Sequence, residues 1–158
     1  LTGLSGQATA TVTREAKYDN LIGFYVIADQ QGTIIDPITG QSLTPGQEGY
    51  AEAAIDASVA EFKVEENLTT VNFDVTLPSG SILAPYLITD GELEDVQNGD
   101  AEVFFAFTAA NSDGMSHILQ LGNSSDNTFT FAFEDLSGND SDKSDRDFND
   151  LVIDLTIL

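Results

Sequence analysis

Cysteine and tryptophan are absent from this 158-residue chain, and it contains one histidine. Without cysteine the chain can form neither a disulfide nor a thiolate zinc site. A single histidine, His117, also excludes a zinc site built from several imidazoles. The remaining metal donors are carboxylate, amide and carbonyl oxygens, which are the ligands of hard cations such as calcium.

Basic residues are also scarce, since five Lys and Arg stand against 27 Asp and Glu for a formal net charge of −22. Nucleic acid and anionic membrane surfaces repel such a chain, so we exclude both as partners. No apolar run reaches the 18 residues of a membrane span, which excludes membrane insertion. No signal peptide is visible, and the chain begins at Leu1, so we expect it to be a piece of a larger chain.

What the chain does contain is a series of short, alternating apolar segments separated by Gly, Pro, Asn and Asp. In residues 68–77, for example, Val71, Phe73 and Val75 share one face. Eight strands are predicted, at residues 8–13, 21–28, 68–77, 81–89, 102–108, 117–122, 128–133 and 151–158. Pro85 suggests that the fourth is an edge strand or carries a bulge.

One segment follows a helical period instead. From residue 49 to residue 62, apolar side chains recur at intervals of three and four after a Pro45-Gly46 turn, which predicts a helix near 49–62. The fold prediction is therefore mostly β: one domain over residues 1–158, an antiparallel β-sandwich of jelly-roll type with a single helix.

The acids are concentrated near the C-terminus, with eight of them between residues 134 and 154. Asp145, Asp147 and Asn149 alternate, and Asp150 adjoins them. Short oxygen-bearing side chains at alternate positions of a loop can curl around a calcium ion. The odd positions of the next segment, residues 151–157, are all large and apolar, so the backbone must turn near 149–150 to keep the acids out of the core.

This acidic segment does not fit an EF-hand. Counted from Asp145, the sixth position is Asp150 instead of glycine and the twelfth is Thr156 instead of glutamate. Two alternatives to a calcium site remain: a solvated acidic loop that binds no metal, and an acidic surface that serves solubility or adaptation to high salt.

A second polar segment, residues 111–117, precedes a predicted strand. It is either a simple polar turn with its bend at Asp113-Gly114, or Asn111 and Asp113 complete a metal shell with the acidic loop. His117 is predicted to be a structural hydrogen-bonding residue, neither metal ligand nor catalyst. Asp29, Asp36 and Asp90 are predicted to be ordinary turn residues.

The sequences Phe133-Glu134-Asp135-Leu136 and Asp145-Arg146-Asp147-Phe148-Asn149-Asp150 resemble the C-terminal motif of a bacterial domain-of-unknown-function family. That family occurs in large secreted proteins of cyanobacteria and marine bacteria, including repeat-containing adhesins. The resemblance spans roughly residues 22–157 and implies a calcium site, an extracellular or cell-surface location and a ligand-recognition role. In some adhesin modules that role is sugar binding through the ion. A second ion near Asp140 or Asp142 stays open.

The leading hypothesis is thus a calcium-dependent, lectin-like binding module of an adhesin, with Ca²⁺ as cofactor and a carbohydrate or cell-surface glycan as partner. The predicted metal ligands are Asp113, Glu134, Asp135, Asp145, Asp147, Asn149 and Asp150. The predicted ligand-binding residues are Asn111, Asp113, Gly114, Asp147 and Asn149.

The alternative hypothesis is a purely structural module that calcium makes rigid. A third, a glycosidase using Glu134 with Asp135 or Asp150, is disfavoured because the chain lacks tryptophan for sugar stacking and a nucleophile motif. We therefore predict that the chain is not an enzyme.

Overall fold

The computed structural model describes residues 6–123, 127–138 and 146–158. Within these ranges the chain forms eleven strands, two α-helices and a short 3-10 helix at Thr108–Ala110. The strands are β1 Gln7–Arg14, β2 Leu21–Ile27, β3 Ile34–Ile35, β4 Ser42–Leu43, β5 Ser58–Lys63, β6 Thr69–Thr76, β7 Ile82–Thr89, β8 Glu102–Phe105, β9 Ile118–Asn123, β10 Thr128–Phe133 and β11 Leu151–Ile157, and the helices are α1 Tyr50–Asp56 and α2 Leu93–Asn98.

The first sheet has five antiparallel strands in the order β6-β1-β11-β10-β9. The inner strand β1 alternates strictly: Ala8, Ala10 and Val12 are buried on one face, while the threonines between them face outward. β11 lies beside β1 and buries Ile153 and Leu155 on the same inner face. One face of this sheet therefore forms half of the main core.

The second sheet has four antiparallel strands in the order β5-β2-β7-β8. Its central strands are near-continuous apolar runs because both faces are covered. Phe24 packs inward against Phe131 of the first sheet, and Tyr25 packs outward against Tyr50 of α1. The molecule is thus a two-sheet antiparallel sandwich with a second, aromatic core beneath α1, as the predicted fold class required.

The predicted helix is too long at its C-terminal end. α1 ends at Asp56, and the rest of the predicted segment is β5, in which Ala60 and Phe62 alternate toward the core. The same apolar residues satisfy a helical and an alternating pattern over this short stretch, and pairing with β2 decides for the strand.

The second helix, α2, was not predicted. It carries a capping box between Glu92 and Asp95 and ends at Gly99 in the left-handed conformation. Six residues are too few for a periodic signal to be visible in sequence. Within the described ranges, no helix has both the length and the apolar character needed to cross a membrane.

The expectation for Pro85 was also wrong. β7 is a central strand of its sheet, and Pro85 lies opposite Phe24 of β2 without a register shift. β8 pairs with β7 only from Tyr86 onward, so Pro85 lies just beyond the point where β8 ends.

Candidate metal centre

Several strand ends meet at one end of the sandwich, where β10 stops at Phe133 and its partner β11 starts at Leu151. The residues just outside these two strands are Glu134 and Asp135 on one side and Asp150 on the other. Adjacent antiparallel strands bring the end of one beside the beginning of the next. We call Glu134, Asp135, Asp147, Asn149 and Asp150 the acidic end.

Two of these carboxylates are buried, since Glu134 is 3% exposed and Asp135 is 5% exposed. The Oδ2 atom of Asp135 accepts a hydrogen bond from Asn20 Nδ2 at 2.7 Å. The backbone N–H of Asp135 donates to Asp150 Oδ2 at 2.8 Å, which holds the two acids side by side. Burying carboxylates is costly unless donors or cations compensate them.

Asp150 experiences this cost directly. Burial raises the pKa of Asp150 most, and the negative charges of Asp135, Glu134 and Asp147 raise it further. The hydrogen bond from the backbone of Asp135 lowers it in part, and the resulting pKa is about 7. The pKa of a carboxyl group rises when its ionised form is poorly solvated and surrounded by like charge. A cation bound at this end would offset the repulsion between the like charges and so lower the pKa of Asp150.

The loop that precedes β11 presents Asp147 and Asn149 to solvent. Arg146 and Phe148 adopt φ values of 55° and 54°, in the left-handed region that non-glycine residues rarely enter. The Asn149 side chain donates to Asp147 Oδ2 at 2.7 Å. This conformation turns the chain before Leu151, which confirms that the acids do not continue the β11 alternation into the core.

A second arrangement at the same end is built on Asp113, whose side chain has no solvent-exposed surface. Its Oδ1 accepts from the backbone N–H of Met115 at 2.9 Å, and its Oδ2 accepts from the backbone N–H of Gly138 at 2.7 Å. The same Oδ2 lies 3.0 Å from His117 Nε2. We call Asp113, His117 and Gly138 the polar clamp, because they join the segment before β9 to the segment after β10.

Hydrogen bonding in the clamp fixes the charge of Asp113. Burial by itself would raise its pKa, but hydrogen bonds from Met115, His117 and Gly138 outweigh burial and lower the pKa to about 2. Asp113 was predicted to be a calcium ligand. In the structure both of its oxygens accept hydrogen bonds, and through them Asp113 links the two segments.

His117 makes hydrogen bonds within the chain, as was predicted for it. Its ring stacks on Phe104 with 3.5 Å between centroids, and Nδ1 lies 2.9 Å from the carbonyl oxygen of Glu134. A carbonyl oxygen can only accept, so Nδ1 carries the proton of this hydrogen bond. His117 therefore fastens the end of β10 to the start of β9.

Asn111 and Gly114, both predicted to meet a ligand, lie in the turn that supports the clamp. The Asn111 side chain accepts from the N–H of Phe105 and donates to the carbonyl oxygens of Phe105 and Met115. Asn111 is 6% exposed. Gly114 has φ of 69° and closes the turn by donating its N–H to Asn111 O. Both residues shape the backbone of this segment.

The remaining predicted ligands divide into two groups. The structure brings Glu134, Asp135, Asp147, Asn149 and Asp150 to one end, whereas Asp145, Asp140 and Asp142 lie outside the described residues. Over residues 6–123, 127–138 and 146–158, no group of three or more His, Asp or Glu side chains is arranged to hold a metal ion. The donors present are carboxylate and carboxamide oxygens, a set that fits a hard divalent cation such as calcium.

Sequence reasoning missed Asn20, which is fully buried. Besides donating to Asp135, it accepts from the backbone N–H of Asp90 at 3.2 Å, so it ties the acidic end to the end of β7 in the other sheet. Nothing local distinguishes an asparagine before an apolar strand from an ordinary turn residue. Only the packing of the two sheets reveals this link.

Comparison with protein families matches the C-terminal part of the chain. The family described as a domain of unknown function (DUF4114) matches residues 77–157, just over half of the chain. The chain belongs to this family. The DUF4114 match contains the polar clamp and the acidic end, but Asn20 precedes it. The matched range is also shorter than residues 22–157, the range over which the sequence resembles the family described above. No curated protein and no solved structure matches the chain.

Proposed function

We propose that this domain is a calcium-dependent extracellular binding module, with the ion at the acidic end and a carbohydrate as its ligand. The residues proposed to hold the ion are Glu134, Asp135, Asp147, Asn149 and Asp150, together with Asp145 from the sequence. Asp113 is left out because its oxygens serve the polar clamp.

The observation that carries this proposal is the crowding of acids beside Asp150. Four carboxylates interact there, two of them almost fully buried, and their mutual repulsion opposes folding. Calcium supplies two positive charges and accepts six to eight oxygen ligands in a flexible arrangement. It would therefore offset the repulsion that these residues create.

The carbohydrate part of the proposal depends on the exposed side of the same end. Asp147 and Asn149 face solvent, whereas Glu134 and Asp135 face the interior. An ion held from below by buried carboxylates can accept sugar hydroxyl oxygens from above. The exposed carboxylate and carboxamide can also hydrogen-bond to those hydroxyls.

A structural role for the ion is the second candidate, favoured by the burial of Glu134 and Asp135 and by the Asn20 link between the sheets. In that case the ion would stabilise the end of the sandwich and bind no further ligand. The extracellular location, as part of a larger secreted protein, belongs to both candidates because calcium is abundant outside cells.

Thermal unfolding in excess EDTA, in millimolar calcium and in millimolar magnesium tests the ion. At a calcium concentration 100 times the dissociation constant, binding adds about 2.7 kcal/mol to the free energy of unfolding. We expect a large rise with calcium and a smaller one with magnesium. Equal unfolding in all three buffers would reject the calcium site.

A glycan array with and without calcium separates the two candidates. Glycan binding that EDTA abolishes and Asp147→Ala weakens supports sugar binding through the ion. A calcium-stabilised domain that binds no glycan supports the structural role.

A further inference from the structure

A cleft of about 610 Å³ opens between the two sheets, away from the acidic end. Its floor is formed by buried apolar side chains from both sheets, among them Leu83 of β7, Ile118 of β9 and Phe131 of β10. It lies on the side of the sandwich where β8 and β9 are the last strands of their sheets. Its size falls within the roughly 300–1,000 Å³ typical of small-molecule sites.

The edge strand β9 has an inverted polarity along this cleft. Gln120 lines the cleft beside the buried Ile118, whereas Leu119 and Leu121 lie on the outer face, 37% and 61% exposed. A strand that only closed a core would place apolar residues inward and polar ones outward. A register shift between Phe129 and Phe131 adds to this effect, because bulges re-aim side chains and are common beside binding sites.

The opposite rim is held in place by the segment between β2 and β3. Asp29 Oδ1 accepts from the backbone N–H groups of Gln31 and Thr33, both at 3.0 Å, and the Tyr50 hydroxyl donates to Gly32 O at 2.7 Å. Gly32 lies directly against the ring of Phe107, since a Cβ atom there would be 2.6 Å from that ring. Gln30 and Phe107, which both line the cleft, are therefore carried on a fixed backbone.

The side chains that line the cleft limit the kind of ligand it can bind. None of the described residues that line it is charged, although the chain has a net charge of −22. An anion would be repelled by the chain as a whole and would meet no basic side chain here, and a cation would find no carboxylate. Two half-buried phenyl rings, Phe107 and Phe129, offer apolar surface, and the exposed carboxamides of Gln30 and Gln120 can both donate and accept hydrogen bonds.

We propose that this cleft is a binding site for an uncharged saccharide. A neutral sugar ring has an apolar C–H face, which packs on phenyl rings and the aliphatic floor, and hydroxyl groups at its edge that pair with carboxamides. The cleft and the acidic end share no residue, so this site does not need the ion. The inference stands independently of the proposed calcium function.

An array of neutral and anionic glycans, probed in EDTA, tests the proposal, and titration calorimetry with the best neutral glycan follows. The variants are Gln120→Ala, which removes a rim carboxamide, and Ala106→Phe, which places a ring into the cleft from an exposed position. Gln41→Ala, on the exposed strand connection between β3 and β4, is the matched control.

We expect neutral glycans to bind in EDTA, and Gln120→Ala to weaken that binding by up to about tenfold, the effect of one lost hydrogen bond. Ala106→Phe should abolish it, and Gln41→Ala should leave it unchanged. Three results would overturn the site: no neutral glycan bound, only anionic glycans bound, or equal affinity in all variants. Binding that requires calcium would also overturn it and would place the sugar at the acidic end.

Discussion

The polar clamp and the acidic end lie next to each other, but they shift the pKa of a carboxyl group in opposite directions. Asp113 receives hydrogen bonds from two backbone N–H groups and lies beside His117, so its pKa falls to about 2. Asp150 is half-buried, receives one such hydrogen bond and lies among three other acids, so burial and then like charge raise its pKa to about 7. Donors within the chain therefore stabilise the charge of Asp113, whereas a bound cation would stabilise the crowded charges of the acidic end.

Asp113→Ala should have the largest effect, because it leaves His117 and two backbone N–H groups buried without their acceptor. Leaving a buried hydrogen-bond donor without its acceptor typically costs about 1–3 kcal/mol. Urea unfolding should show this loss equally in EDTA and in calcium. Asp100→Ala, at an exposed position, is the control. A loss seen only with calcium would make Asp113 an ion ligand after all.

Asp147→Ala should show the opposite dependence. In EDTA we expect unfolding close to that of the wild type, because Asp147 is exposed. In calcium at 100 times the dissociation constant, the variant should lack the increment of about 2.7 kcal/mol that the ion provides. Asp56→Ala, at the end of α1, should keep that increment. If Asp56→Ala loses the increment instead, the ion lies elsewhere in the molecule.

Gly138→Ala should affect the clamp more mildly. An added Cβ would lie 2.0 Å from Met115 Sδ and 3.2 Å from Asp113 Oδ2, so the neighbouring side chains must move. Met115 is flexible, and we expect a loss of about 1–2 kcal/mol. Gly138 has no positive φ, so crowding alone should cause this loss, and thermal unfolding measures it. Gly80→Ala, whose Cβ would meet nothing within 4 Å but whose φ is 77°, shows for comparison the effect of backbone strain without crowding. Unchanged unfolding of Gly138→Ala would show that crowding at this position is unimportant.

The smallest expected effect is the dependence of the free energy of unfolding on pH, measured in EDTA. The folded chain keeps the Asp150 proton up to about pH 7, whereas the unfolded chain releases it near pH 3.9. This contribution to stability is therefore complete below about pH 4 and is lost as the pH rises to 7. Asp113, with its lowered pKa, contributes above about pH 4 and loses that contribution as the pH falls toward 2.

Asp150→Asn isolates the first contribution, because asparagine keeps an oxygen that can accept from Asp135 but carries no charge. Its advantage over the wild type should grow between pH 5 and pH 8 by about 1 kcal/mol, allowing for solvent screening of a half-buried group. Urea unfolding across this range measures it. Parallel stability curves for the two proteins would mean that Asp150 is not perturbed.

Much of the fold was visible in the sequence. Strict alternation located β1, β6 and β11 to within a residue or two, because one face of each strand meets the core. β5 and α2 could not be located in the same way. Residues 58–63 fit two periods at once, and α2 is too short to show one.

The candidate site was predictable in part. The cluster Asp147, Asn149 and Asp150 was placed correctly beside the end of β10, since a strand with an apolar face cannot carry those acids into the core. The separate role of Asp113 was not predictable, because it depends on Gly138, 25 residues away. Asn20 is 115 residues from Asp135, and no local pattern connects them.

The sequence by itself determined which metal donors the chain can offer: with no cysteine, one histidine and 27 acids, they are mainly oxygens. Its alternating segments also determined an antiparallel β fold. Only the tertiary structure decided which acids are satisfied within the chain and which repel one another. Hydrogen bonds and charge interactions of that kind act between atoms a few ångströms apart, and the folding of the two sheets decides which residues come that close.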